Sequence, residues 1–175
     1  VTDQLTGCIF NQVIFVSQPP SLTLAIAANT PSTCVSSSIN LSGIASGGNP
    51  GYTYTWTSGP PSSSFTVSSL LSGNYIYTLN ATDQNSCAIN NTIAVDFIPN
   101  PTLSVANISI CPIQSGTLNV SGATSYTWNG TVVGSSFVDN PLTTQNYSVV
   151  GSALSCTASA TASIILKALP IPSIT

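Results

Sequence analysis

Charge is nearly missing from this chain. Only 3% of its 175 residues are charged: Asp3, Asp83, Asp96, Asp139 and Lys167. Glutamate, arginine, histidine and methionine do not occur. Each absence removes a class of function. A groove that neutralises phosphates needs clustered lysine and arginine, so nucleic acid is excluded as a partner. A Ser-His-Asp or Cys-His centre needs a histidine, and so does a mixed Cys/His zinc site. No C-x-x-C pair occurs, which argues against a thiolate metal site. No apolar run is long enough for a membrane span. The opening VTDQLTGC has neither a charged n-region nor an apolar h-region, so no signal peptide is expected in it. Strong helix formers are scarce, and no stretch keeps a 3.6-residue hydrophobic period.

Serine and threonine fill the gap, at about 29% of the chain. Solubility therefore rests on hydroxyls and amides rather than on ions. Apolar residues make up 42%, enough for a core. They alternate with polar ones over short runs. Tyr52, Tyr54 and Trp56 alternate with threonines, Tyr75, Tyr77 and Leu79 with Asn74, Ile76 and Thr78, and Ile93, Val95 and Phe97 with Thr92, Ala94 and Asp96. A period of two means strands with one packed and one wet face. Turn clusters at 46–51, 58–64 and 72–74 separate them. This spacing predicts an all-β fold of tandem immunoglobulin-like β-sandwiches, with Trp56 and Trp128 in the cores. The stretch Leu70–Tyr75 resembles a tyrosine corner, in which a Tyr at the start of a late strand bonds back to the preceding loop.

The chain also repeats itself. VTDQLTGCIFNQVIFVSQPPSLTLAIA at Val1 returns as ATDQNSCAINNTIAVDFIPNPTLSVA at Ala81, and more loosely as GSALSCTASATASIILKALPIPSIT at Gly151. TYTWTSG at 53–59 answers SYTWNG at 125–130. The period is about 70–80 residues. It divides the chain into 1–18 as the end of a preceding repeat, 19–99 and 100–169 as complete repeats, and 170–175 as the start of another. The five cysteines follow the same division. Cys34 is expected to bond Cys87, and Cys111 to bond Cys156, each closing its own repeat. Cys8 stands where Cys87 and Cys156 stand, so its partner is expected upstream of Val1. Such bridges imply an oxidising, extracellular location.

Residues 34–87, with SSINLSGIASGGNPGYTYTW and LLSGNYIYTLNATDQNSC after Cys34, resemble the SprB-type repeat of gliding-bacterium surface adhesins. Residues 111–164, with CPIQSGTLNVSGATSYTWNG and SCTASATASI, are similar to the related immunoglobulin/PKD-like repeats. Asn85-Ser86-Cys87 departs mildly from that family's Asn-Gly-Cys ending, and the second repeat lacks the Asp before its last cysteine. The resemblance implies a long protein of Bacteroidetes-type bacteria, attached to the cell surface and exported by the type IX pathway. It implies no catalytic residue.

Chemistry elsewhere is thin. Asp83 with Asn85, and Asp3 in the equivalent turn, offer oxygens for calcium, but four scattered aspartates do not make a multi-carboxylate cage, and an Asp capping its own turn is the simpler reading. Lys167 is the only amine for an isopeptide bond, and 19–99 has no equivalent. No enzyme, cofactor or metal is expected. N-x-S/T acceptors for glycosylation occur at Asn40, Asn80, Asn90, Asn107, Asn119, Asn129 and Asn146. Prolines near the joints (Pro19, Pro20, Pro99, Pro101, Pro170, Pro172) stand in for the charges that usually guard strand edges. The function expected is a structural stretch of an extracellular filament or adhesin stalk that associates with its own repeats and with other copies. The alternatives are a carbohydrate-binding module stacking sugars on Tyr52, Tyr54 or Tyr126, and a fibre subunit in which residues 1–18 are a donated strand.

Overall fold

The computed structural model describes residues 13–169. Asp3 and Cys8, and the expectations attached to 1–12 and 170–175, lie outside them. Among the described residues every regular element is a strand, and no helix is long and apolar enough to cross a membrane. Residues 13–22 carry no strand.

The strands are β1 Thr23–Ala28, β2 Ser32–Cys34, β3 Ser38–Ser46, β4 Thr53–Trp56, β5 Ser64–Ser68, β6 Gly73–Thr82, β7 Ala88–Ile98, β8 Ser104–Val105, β9 Ile108–Ile110, β10 Gly116–Ser121, β11 Ser125–Trp128, β12 Val132–Val133, β13 Ser136–Asp139, β14 Gln145–Ala153 and β15 Cys156–Leu166. The alternation read over 92–97 is the alternation of burial: Val95 and Phe97 of β7 are buried while Thr92, Ala94 and Asp96 are exposed. The same pattern runs through strands whose alternation the sequence reading does not name. In β3, Ile39, Leu41 and Ala45 are buried while Ser38, Asn40 and Ser42 are exposed. In β10, Leu118 and Val120 are buried between exposed Thr117, Asn119 and Ser121.

Strands β1–β7 form a three-stranded sheet in the order β1-β3-β5 and a four-stranded sheet in the order β2-β7-β6-β4. Strands β8–β15 form β13-β10-β8 and β12-β11-β14-β15-β9. Most neighbours are antiparallel, as expected for a sandwich with one wet face per sheet. The exceptions are β2, which runs parallel to β7 with Ser32–Cys34 opposite Asp96–Ile98, and β9, which runs parallel to β15 with Ile108–Ile110 opposite Ile164–Leu166. In both, the short strand lies beside the last three residues of the long one. The fold is an all-β, immunoglobulin-like sandwich.

The described chain divides into two compact units. The first holds 13–27, Ser42–Phe65 and Tyr77–Thr92; the second holds Ala28–Leu41, Thr66–Ile76 and 93–169. In the first, Trp56 lies against Phe65 with ring centroids 5.8 Å apart, and Phe65 meets Tyr77 edge-on at 6.0 Å. Leu79 sits beneath Gly43, leaving no room there for a Cβ. In the second, Leu118 and Val120 of one sheet pack against Trp128, Tyr147, Val149, Ala162 and Ile164 of the other. Phe137 fills the space between Trp128 and Tyr147, with centroids 5.4 Å and 4.9 Å away.

Candidate functional site at the cysteine turns

The disulfide pattern differs from that read in the sequence. Cys34 is bonded to Cys156, with Cα atoms 5.6 Å apart, and Cys87 and Cys111 are free thiols, both exposed. Neither expected bond, Cys34–Cys87 or Cys111–Cys156, is made. The parallel ladders explain why. Cys34 lies opposite Ile98 at the end of β7, whereas Cys87 precedes the start of that same 11-residue strand. At about 3.3 Å per residue the two ends are roughly 33 Å apart, far beyond the ~4.4–6.8 Å between Cα atoms that a disulfide tolerates. Cys111 likewise follows β9 at the far end of β15, while Cys156 opens that strand. The Cys34 turn instead meets the β14–β15 hairpin. The carbonyl of Ser155 lies 3.8 Å from Cys34 Sγ, and that of Ile98 lies 3.9 Å from Cys156 Sγ. Cys156 is fully buried.

The four cysteines occupy two kinds of turn. Cys34 and Cys111 each open a turn in which the third residue on donates its backbone N–H to the cysteine carbonyl, Ser37 at 3.1 Å and Gln114 at 3.2 Å. The residue two after each cysteine is left-handed, Ser36 at φ 68° and Ile113 at φ 70°. Cys87 and Cys156 each follow a left-handed serine, Ser86 at φ 65° and Ser155 at φ 74°, at the point where a hairpin enters its long last strand. Left-handed φ is uncommon outside glycine, so its recurrence at matching places marks the turns as corresponding structures.

Asp83 stiffens the turn before Cys87. Its Oδ1 accepts from the N–H groups of Asn85 at 2.9 Å and Cys87 at 2.8 Å, and its Oδ2 from that of Asn49 at 2.9 Å. The Asn49 N–H, chiefly, holds the carboxyl below the usual range; burial opposes it, and the Cys87 and Asn85 donors add to the lowering. Both oxygens are thus committed to the chain's own backbone, the Asx-turn role. Among the described residues no group of three or more His, Cys, Asp or Glu side chains gathers into a metal cluster.

The tyrosines proposed as a sugar platform are tied to their own loops and half-buried. Tyr52 donates to the Gly47 carbonyl at 2.6 Å. Tyr54 accepts from the Ala45 N–H at 3.0 Å, and Tyr126 from the Ala123 N–H at 2.8 Å. Tyr75 forms the corner read in the sequence: its hydroxyl donates to the Leu71 carbonyl at 3.1 Å, and Ser69 Oγ lies 2.9 Å away. Tyr147, near the start of β14, bonds differently. It donates to Asp139 Oδ2 at 2.6 Å.

Burial, first, and then the Asp139 carboxylate push the Tyr147 phenol up to about 12. The folded value lies above the unfolded one of ~10, so the neutral phenol stabilises the fold fully below pH ~10, and that contribution is lost as pH rises towards 12. Tyr147→Phe is expected to cost about 1–2 kcal/mol at pH 7 through the lost charge-assisted bond. It also removes a phenolate step near pH 12 from the absorbance at 295 nm. Denaturant melts and a spectrophotometric titration measure the two effects.

All seven N-x-S/T asparagines, Asn40 through Asn146, are exposed. Several of them already serve the fold: Asn40 Oδ1 accepts from Thr66, Asn119 Oδ1 from Ser136, and Asn107 Oδ1 from the Ser163 N–H. Lys167 is exposed just beyond β15, its N–H donating to the Ile110 carbonyl at 2.9 Å.

No family model matches the chain, and no curated protein matches it. Among solved structures it is similar to the fibronectin(III)-like modules of Clostridium thermocellum CbhA, at 13% identity over 82% of this chain and 94% of that one, with a TM-score of 0.37. It is similar to the N-terminal eight Ig domains of Down syndrome cell adhesion molecule, at 11% identity, 86% and 24% coverage and a TM-score of 0.44. A third is the C-terminal fragment of intimin in complex with the intimin-binding domain of its translocated receptor, at 20% identity, 81% and 63% coverage and a TM-score of 0.46. The chain spans about a quarter of the second and under two thirds of the third. The likeness is one of sandwich architecture; no ligand or partner of those proteins passes to this chain.

Proposed function

We propose that this chain is a structural stretch of a long extracellular adhesin or filament, of the kind the SprB-type resemblance implies, built from tandem sandwiches at 19–99 and 100–169. The observation that carries the reading is the recurrence of one local design along one chain. The β2–β7 ladder returns as β9–β15 with the short strand beside the same end of the long one. Tyr54 and Tyr126 anchor their hydroxyls on the backbone of Ala45 and Ala123. Gly47 and Gly122 are both left-handed, and a Cβ on either collides with the carbonyl of an incoming segment, Ser21 or Thr102. A module copied in series is what a stalk requires, and a fold made of copies needs no catalytic residue. The Cys34–Cys156 disulfide suits export to an oxidising compartment. The carbohydrate-binding alternative finds less support, because the tyrosines it needs hold their own loops.

Negative-stain electron microscopy of the full-length parent protein tests the proposal. Extended rods or fibres with regularly spaced beads are the expected image; compact isolated particles sink it.

A further inference from the structure

We propose that Cys87 and Cys111 are the two halves of a second disulfide staple, closed between successive modules: Cys111 of one copy of the chain bonds Cys87 of the next. The inference rests on the tandem reading above. Its starting point is the bond already formed. Cys34, at a turn of the first kind, reaches forward to Cys156, at a turn of the second kind. Cys111 is the other turn of the first kind, with a left-handed residue at the same position and the same three-residue hydrogen bond as Cys34. Cys87 is the other turn of the second kind. By that correspondence Cys111 wants a partner in the module that follows, and Cys87 one in the module that precedes. A second copy supplies both.

The surroundings agree. Beside Cys87 opens a groove of about 300 Å³, walled by Pro19, Pro20 and Leu22 on one side and by the Asp83 turn on the other. Beside Cys111 the turn presents Ile113, 87% exposed and held outward by its left-handed backbone. An exposed β-branched residue in that conformation is strained and unburied, and an apolar groove next to the partner thiol gives it a seat. Both thiols are exposed, as attack on a disulfide requires. Each bond formed oxidises two thiols, releasing two protons and two electrons. A small-molecule disulfide such as oxidised glutathione takes them up as two thiols, by way of a mixed disulfide.

The test uses the whole 175-residue chain with Cys8→Ser, so that Cys8 does not compete, and in parallel the unaltered chain. Each is incubated with a glutathione redox buffer, run on a non-reducing gel and mapped by mass spectrometry after chymotryptic cleavage. The expected result is a ladder of dimers, trimers and higher species, with Cys34–Cys156 within each chain and Cys87–Cys111 between chains. Random pairing of two exposed thiols gives the Cys87–Cys111 link about half the time; the staple predicts at least a tenfold excess over Cys87–Cys87 and Cys111–Cys111 together. Adding Cys87→Ser or Cys111→Ser stops the ladder at dimers and reduces even those about tenfold. Random linkage, a ladder that survives either substitution, or a chain that stays monomeric with both thiols capped by glutathione overturns the staple. The last result leaves the stalk reading to the electron micrographs, so the two fail separately. If Cys8→Ser melts below the unaltered chain, the linkage map of the unaltered chain decides.

Discussion

Cys34→Ser lowers the stability of the folded chain by about 4–5 kcal/mol, and Cys156→Ser does the same. The bond between them spans a sequence separation of 122 residues. In the loop-entropy model, closing a loop of that size removes denatured-state freedom worth ~4.9 kcal/mol. A typical domain is stable by only about 5–15 kcal/mol, so the loss is a large fraction of the total. Cys156 is fully buried, so its serine adds a hydroxyl that needs a partner, and its effect is expected at the upper end of the range. Cys87→Ser and Cys111→Ser are the controls. Both thiols are free and exposed, and each substitution is expected to change stability by less than about 0.5 kcal/mol. Urea melts of the four variants, with and without reductant, give the comparison. A reductant that destabilises Cys87→Ser as much as the unaltered chain, and leaves Cys34→Ser unmoved, identifies Cys34–Cys156 as the bond that matters. Equal losses for all four variants contradict the arrangement described.

Trp128→Ala is expected to cost about 3–5 kcal/mol, the range for removing a large aromatic from a core that relaxes only partly around the cavity. Trp128 has no exposed surface and stacks on Phe137 at a 26° interplanar angle. Its loss therefore also loosens the packing of Tyr147, which meets the other side of Phe137. The two tryptophans separate the polar part of this effect from the apolar part. Trp128 Nε1 donates to the Gly134 carbonyl at 3.1 Å, whereas among the described residues no acceptor faces Nε1 of the equally buried Trp56. Trp128→Phe should thus cost about 1 kcal/mol more than Trp56→Phe, because it strands a carbonyl that Trp56→Phe does not. Chemical denaturation followed by circular dichroism measures the difference; a larger loss from Trp56→Phe reverses the assignment.

Much of this architecture can be read from the residues alone, and the reason is local. Period-two alternation is a property of neighbouring residues, so β4, β6 and β7 are visible as strings. The tyrosine corner is visible because Tyr75 reaches only as far back as Leu71 and Ser69. The cysteines show where such reading stops. Similar strings of residues suggest which cysteines correspond, but pairing depends on which end of a strand each one occupies. That is decided by the parallel course of β2 along the last residues of β7, a contact between segments about sixty positions apart. Three residues of a short edge strand carry no periodicity of their own. The Tyr147–Asp139 bond is silent in the sequence for a similar reason: Asp139 comes from β13 on the other sheet, and nothing in the intervening loop announces the meeting.

The parallel ladders also fix how the chain answers a pull. In β2 the polypeptide arrives at the end that a tug from the N-terminal side would seize; in β7 it departs at the opposite end. With Cys34 bonded to Cys156 that tension crosses the sulfur bridge into β15, and the rungs joining Ser32–Cys34 to Asp96–Ile98 are sheared together, rather than peeled one by one, once the bond is reduced. The β9–β15 pair is oriented alike. For any polypeptide held taut, shear of this kind is the more resistant way to be strained.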